Sequence, residues 1–530
     1  MTTECTLNAG AAATQAAWTP ARKTIGDRVS EALLLPRDWS LRAAALSYPT
    51  FIHGLASLSP AYIERESRAR ARRALLRAAQ RVPAYAQFLA RHSTPTDPVP
   101  ETSKKNYIQA FPIESRCVDG RIPYARVAID ESSGSTGTPF NWVRGEAERH
   151  HVHLLVSYFS NYCFGRRPRI TLNAFSMGAW ATGVNMGLAM QRNSIVKNTG
   201  PDVAKILSTL REFGPGHDYL ITGYPPFLKL LLDTARSEGF VLHDYRLDAL
   251  VGGEGMSEGL RDYLQRNIRN VFSGYGATDL EIAIAGETPL SVAIRRLARH
   301  DPAVRSALFG EDSRLPMVFQ YNALTHHIEV NAQGDLLVTI TRRDMLSPRI
   351  RYNVGDQGGV ARYDHMAQKL AAVDIDIADF VGDADEPSLR LPFVWVHGRR
   401  DYTVSVMGAN IYPEDLEQCL YADPVLAELT RSFCLGLSDT QDGTTRPCFA
   451  FEIDAEPTSD IQDKFAASIT SRLRELNADY RTAFDEYPEA MTPEVQLHRL
   501  GAGPFAADRD RIKQMRVFKQ SRAAHGTSHA

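Results

Sequence analysis

The segment Ser132-Ser133-Gly134-Ser135-Thr136-Gly137-Thr138-Pro139 crowds hydroxyl side chains around two glycines. Glycine lets backbone N–H groups turn toward an anion, and Ser/Thr hydroxyls add donors, so this stretch can wrap a polyphosphate. Taken alone, a plain Ser/Gly surface turn explains it equally well. The familiar phosphate loop G-x-x-x-x-G-K-[ST] needs a lysine inside it and a helix directly after it. Here Thr138-Pro139 follows the last glycine and Phe140-Asn141-Trp142-Val143 alternates like a strand, so a hairpin clasp is expected. Three further segments carry complementary chemistry. Phe272-Ser273-Gly274-Tyr275-Gly276-Ala277-Thr278-Asp279 offers an aromatic that can stack on a base, a tight glycine turn and an acid that can hold a cation. Arg351-Tyr352-Asn353-Val354-Gly355-Asp356 ends in a carboxylate suited to accept hydrogen bonds from two ribose hydroxyls. Gly398-Arg399-Arg400-Asp401, followed by Gly408-Ala409-Asn410-Ile411-Tyr412-Pro413-Glu414, looks like a hinge leading into a small domain.

These residues need a scaffold, and the rhythm of the chain supplies one. Strands are expected at Val127–Ile129, before the glycine loop, at Ile170–Leu172, at Tyr219–Ile221 and at Leu247–Val251, which leads into Gly252-Gly253-Glu254-Gly255. Amphipathic helical stretches separate them, one near 227–237, and that alternation marks an α/β domain. His327–Val330, a turn at Gln333-Gly334-Asp335 and Leu336–Ile340 read as a β-hairpin, which carries the sheet system to about residue 360. Residues 363–396 are polar and acidic at their centre and read as an inserted loop or linker. A compact last unit should hold a helix over 413–421, a strand over 449–453 and a helix over 459–476. From about 60 to 92, Leu75, Leu76, Ala79 and Val82 recur at helical spacing opposite an arginine-rich face, which reads as solvated. The expected division is a large domain over 26–397 and a small mobile α+β domain over 398–520, with frayed ends at 1–25 and 521–530.

In order and spacing, these segments resemble the adenylate-forming superfamily of acyl-CoA ligases, adenylation domains and luciferases, and most closely its phenylacetate-CoA ligase branch. Ala74–Tyr85, Thr102-Ser103-Lys104-Lys105, the doubled serine opening the loop and Ala409-Asn410-Ile411-Tyr412-Pro413 point to that branch. The resemblance implies that Ser133, Gly134, Ser135, Thr136 and Gly137 hold the β- and γ-phosphates of ATP. It also implies that Gly253, Glu254 and Tyr275 contact the adenine, that Gly276 belongs to the same ATP/AMP-binding set, that Thr278 touches the α-phosphate, and that Asp356, assisted by Arg399, binds the ribose. Asp279 would hold Mg²⁺ where the family usually has Glu, and Asp401 would be the pivot of the small domain. The family's catalytic lysine maps best to Lys513, although Ile512 replaces the expected glycine; Lys519 is the second candidate. Phe175, Trp180 and Tyr224 fall where the family lines its acid pocket, and their rings suit an aromatic acid. The implied reaction is ATP-dependent adenylation of a carboxylic acid with release of pyrophosphate, then transfer of the acyl group to a thiol such as coenzyme A. An amine, a carrier protein or a non-carboxylate such as nitrite could replace one partner, and a homologue that binds nucleotide without catalysis is a third reading. The branch also implies pairing as a homodimer.

Bulk properties bound these readings. The 530 residues exceed what one hydrophobic core usually serves. Lys plus Arg number 60 against 62 Asp plus Glu, leaving no field strong enough to gather nucleic acid or an anionic membrane surface. Six cysteines lie scattered without C-x-x-C spacing, which favours neither a zinc site nor a disulfide framework and suits a reducing cytoplasm. No leader-like start and no long apolar run is evident, so neither secretion nor a membrane span is expected. His150, His151 and His153 read as a solvated helix face, and His326-His327 likewise.

Overall fold

The computed structural model describes residues 47–97, 99–132, 140–310, 312, 314–380, 386–399, 404–407, 409–439, 445–506 and 516–519. Its larger part is built on strands β1 (Val127–Glu131), β2 (Asn141–Gly145), β3 (Arg169–Asn173), β4 (Ile195–Asn198), β5 (Asp218–Gly223), β6 (Arg246–Gly252), β7 (Asn270–Tyr275), β8 (Ala285–Gly286), β9 (Met317–Gln320), β10 (His326–Val330), β11 (Asp335–Ile340), β12 (Tyr352–Ala361) and β13 (Phe393–Arg399). Strands β1 and β2 form a separate hairpin, and the other eleven make one sheet in the order β10-β11-β12-β13-β9-β8-β7-β6-β5-β3-β4. Half of that sheet is parallel, because β3 to β7 are joined by helices Ala181–Met190, Val203–Phe213, Pro225–Ser237 and Glu258–Leu264. Those strands read as near-continuous apolar runs since both faces are covered: Leu220, Ile221, Leu247 and Ala249 are fully buried. The crossover helices start where local chemistry starts them. Pro225 stands at the first helical position, and Ser257 accepts the Leu260 N–H through its hydroxyl. The hairpin anticipated around Gln333-Gly334-Asp335 is present, with Val330 opposite Leu336.

A second core lies in the C-terminal part, on β14 (Val404–Val406), β15 (Ala409–Ile411), β16 (Thr430–Asp439), β17 (Thr445–Ile453), β18 (Glu494–His498) and β19 (Val517–Lys519). Helices Pro413–Tyr421 and Ser459–Leu476 cover it, and Leu416, Phe449, Phe451, Phe465 and Ile469 are buried there. Both helices and the strand through 449–453 occupy the ranges that the periodicity indicates.

Three expectations need correction. Residues 363–396 are not a bare linker: they hold helix Tyr363–Ala371 and most of β13, because Met366, Leu370, Ile377 and Phe393 bury against helix Pro289–His300. The polar residues between those apolar positions masked their spacing. The arginine face of helix Pro60–Arg81 is only partly solvated: Arg70 Nε lies 2.9 Å from Glu66 Oε1, with both side chains nearly buried, and Arg77 reaches the carbonyls of Thr341 and Arg342. Of the histidines, His150 is exposed as expected, whereas His151, His153, His326 and His327 are partly or fully buried. His326 is 1% exposed and bonded to Glu281, and His153 Nε2 lies 2.9 Å from Asn185 Oδ1.

Candidate active site

Parallel strands leave a crevice at their carboxyl ends, where loops can gather residues from several strands. Strands β3, β5, β6 and β7 lie side by side in register, and Phe175, Tyr224, Gly253 with Glu254, and Tyr275 with Gly276 stand at or just beyond those ends. Across the sheet, Phe175 and Tyr224, two of the three aromatic residues expected around the acid, follow β3 and β5, and the residues expected around the base follow β6 and β7. Lateral position in the sheet therefore separates the residues expected around the acid from those expected around the base. One cavity joins them; it encloses about 1490 Å³ including its open mouth, and Phe175, Trp180, Tyr224, Gly253, Gly276 and Thr278 all line it.

Buried hydrogen bonds hold the turns at these ends. Asn173 donates to the Gly183 carbonyl and to Asn198 Oδ1, both at 2.8 Å, and accepts the Thr222 hydroxyl at 3.0 Å, tying the end of β3 to its neighbours. The Phe175 ring then meets Tyr224 edge-on, with centroids 5.0 Å apart. Gly253 has φ +83°, and a Cβ there would come within 2.7 Å of the Tyr224 ring, so glycine satisfies both the backbone and the space.

Tyr275 donates its hydroxyl to Asp356 Oδ2 at 2.7 Å, and its ring rests on Phe319 with centroids 5.7 Å apart. Burial and the Asp356 carboxylate both push the phenol far above its ordinary range, so it remains a donor. Asp356 pairs with Arg399 across β12 and β13. Base, ribose and supporting arginine candidates are thus brought together although the chain separates them by more than a hundred residues.

The clasp hairpin is closed at its base: Ser132 N–H donates to the Phe140 carbonyl, and Phe140 N–H to Ser132 Oγ, each at 3.0 Å. Glu131 N–H donates to the Ala179 carbonyl at 2.8 Å, and Arg144 Nη2 donates to the Thr278 carbonyl at 2.5 Å. The loop thereby springs from a base tied to both the Trp180 segment and Thr278. Ser133, Gly134, Ser135, Thr136 and Gly137 themselves lie outside the described residues, as do Asp401 and Lys513. Lys519 lies in β19, which runs parallel to β16.

Asp279 faces partners that the sequence did not indicate. Its Oδ2 accepts the Tyr352 hydroxyl at 2.7 Å and stands 3.4 Å from Lys104 Nζ. These groups surround the carboxylate that the resemblance expects to hold Mg²⁺, an ion that nucleotide sites bind through one or two carboxylates together with substrate phosphates. Lys104 also lies 5.5 Å from the centre of the Phe140 ring, at the base of the clasp hairpin. Its segment was legible only as a family mark, because its partner is distant in sequence. Arg516 was missed as well: its guanidinium stands 3.7 Å from Glu254 and 3.9 Å from Glu417. Arg516, directly before β19, therefore stands beside Glu254, one of the expected adenine contacts.

The chain has the fold of adenylate-forming ligases. It is similar to a 2-hydroxyisobutyryl-CoA ligase in its postadenylation state bound to R3-HIB-AMP, with a TM-score of 0.61 and 14% identity over 86% of this chain and 89% of that one. The same ligase in the postadenylation state with 2-HIB-AMP gives a TM-score of 0.60 at 13% identity, over 86% of this chain and 89% of that one. In its thioesterification state with 2-HIB-AMP and CoA it gives 0.50 at 14% identity, over 87% of this chain and 91% of that one. No protein-family model matches the chain, and no curated protein matches it in sequence.

Proposed function

We propose that this protein uses ATP to adenylate a carboxylic acid and then passes the acyl group to a thiol, coenzyme A being the first candidate. The observation that carries the reading is the convergence of Phe175, Tyr224, Gly253, Glu254 and Tyr275 on adjacent parallel strand ends, with Asp356 bonded to Tyr275. The likeness to a ligase whose thioesterification state holds CoA supports the thiol. Phe175, Trp180 and Tyr224 at the cavity wall support an acid with an aromatic or similarly apolar body.

In the first step a carboxylate oxygen attacks the α-phosphorus of ATP, pyrophosphate leaves, and charge grows on the oxygens of the transferring group. Donors fixed in advance around those oxygens lower the barrier. The glycine loop would hold the leaving pyrophosphate, Thr278 the α-phosphate and Lys513 the developing charge, while Tyr275 and Asp356 fix the nucleoside. Lys104 adds a cation at the base of the clasp, and no step is routed through magnesium. Asp401 would then act as the pivot by which residues 398–520 move between half-reactions.

Exchange of pyrophosphate into ATP, run with a panel of aromatic and aliphatic acids, tests the reading. Acid-dependent exchange is the expected result. ADP formation, or tight ATP binding without exchange for any acid, would sink it.

A further inference from the structure

The cleft does not end where a single ring would. Its wall follows helix Glu146–Phe164 from Leu155 to Tyr162, about 10 Å at 1.5 Å rise per residue. Facing that stretch is helix Tyr48–Ala56, from a part of the chain with no motif, which contributes Phe51, Ile52 and Leu55 to the same cavity. The two helices are locked together through Phe51 and Tyr158, whose ring centres are 5.4 Å apart. Gly286 allows the Phe159 ring to approach β8, since a Cβ there would meet the ring at 2.4 Å.

Several polar groups of this lining are already bonded within the protein. Thr288 donates to Gln320 Oε1 at 2.6 Å, and Gln320 Nε2 donates to the carbonyls of Leu389 and Leu391 at 3.0 and 3.1 Å. His326 is held between Glu281 and Thr325. Among the described lining residues no fully buried polar side-chain atom lacks a partner. Between the two helices, where Phe51, Ile52, Leu55, Leu155 and Phe159 form the wall, a polar group would lose its water against apolar side chains, whereas an apolar chain gains for every methylene it buries.

We propose that the acid carries an uncharged apolar tail longer than one ring, lodged between helices Tyr48–Ala56 and Glu146–Phe164 with its carboxylate toward Thr278. This rests on the acid-adenylation reading and adds the class of acid. The test is acid-dependent pyrophosphate exchange by the full chain with three series: straight-chain acids from acetate upward, ω-phenylalkanoic acids from phenylacetate upward, and α,ω-dicarboxylic acids of matching length. In the first two series kcat/KM should climb about fourfold per added methylene until the cavity is filled. The dicarboxylic acids should fall far below them. Exchange that peaks at acetate, benzoate or phenylacetate and declines beyond overturns the tail while leaving adenylation intact. Exchange with no acid at all defeats adenylation instead. Titration with a fluorescent fatty acid then decides the cavity: saturable binding upholds the apolar site, and its absence overturns it. Leu55→Trp and Ile52→Trp, read as the ratio of long-acid to short-acid kcat/KM within each variant so that partial misfolding cancels, should lower that ratio at least tenfold. An unchanged ratio in both overturns the proposal.

Discussion

Tyr275 gives its hydroxyl to Asp356 and rests its ring on Phe319, so two strands that are not neighbours in the sheet share one nucleoside candidate site. Tyr275→Phe keeps the ring and removes that bond, which is worth about 0.5–1.5 kcal/mol. The KM for ATP should rise about three- to tenfold with stability nearly kept, as steady-state kinetics beside a urea titration would show. An unchanged KM would remove Tyr275 and Asp356 from the nucleotide site. A second residue-scale expectation concerns acid. Burial presses His327 down from 6.5 to about 4, with Ser67 Oγ 2.9 Å from its ring nitrogen. The unfolded chain therefore takes up this proton first. The stability tied to the neutral ring is intact above pH 6.5 and is lost as pH falls from there toward 4. Glu148 runs the other way, since burial raises it to about 7 and its ionisation opposes folding as pH rises between its ordinary value of 4.5 and 7. Comparing His327→Gln with the parent isolates the first effect: the drop in Tm between pH 7 and pH 4.5 should shrink in the variant.

At the scale of elements, helix Pro225–Ser237 joins the two cores. Lys229, nearly buried, donates to Asp233 and to the Thr430 carbonyl, each at 2.7 Å, and Arg431 Nη1 reaches Asp233 Oδ2 at 2.8 Å. Glu417, on helix Pro413–Tyr421, accepts the Ser257 N–H at 2.9 Å. These contacts hold the C-terminal part against helices Pro225–Ser237 and Glu258–Leu264. Any rotation of that part has to break them. Arg431→Ala weakens the arrangement by about 1.5–3 kcal/mol, the usual worth of a hydrogen bond to a charged group. Single-turnover measurements should show adenylation slowed relative to thioester formation, by roughly tenfold in their ratio. An unaltered ratio would mean that this interface does not move during the cycle.

At the scale of the whole molecule, Arg516 of the C-terminal part stands 3.7 Å from Glu254, just beyond the end of β6. If Lys513 serves the adenylation step alone, Lys513→Ala should lose adenylation by two or more orders of magnitude, in the range of a lost charge-stabilising donor. It should still transfer acyl groups from a preformed acyl-adenylate. Unimpaired adenylation would shift the role to another lysine, with Lys519 next in line.

Local chemistry is what the sequence determined by itself. The Ser132–Pro139 stretch, the aromatic-glycine turn at Tyr275, the carboxylate at Asp356 and the strand-helix rhythm depend on residues close in the chain, and so does the compact last unit. Tertiary structure decided what depends on distant partners. It set Lys104 and Tyr352 on Asp279, drew Arg516 to Glu254 and turned His326 inward onto Glu281. It also closed the cavity with helix Tyr48–Ala56, a stretch with no motif. Periodicity announces that a helix has an apolar face, but it carries no information about which strand end or which second helix that face will meet. The clasp between 132 and 140 shows both sides of this: its hairpin was legible in the residues, while its ties to Ala179 and Thr278 came only with the fold.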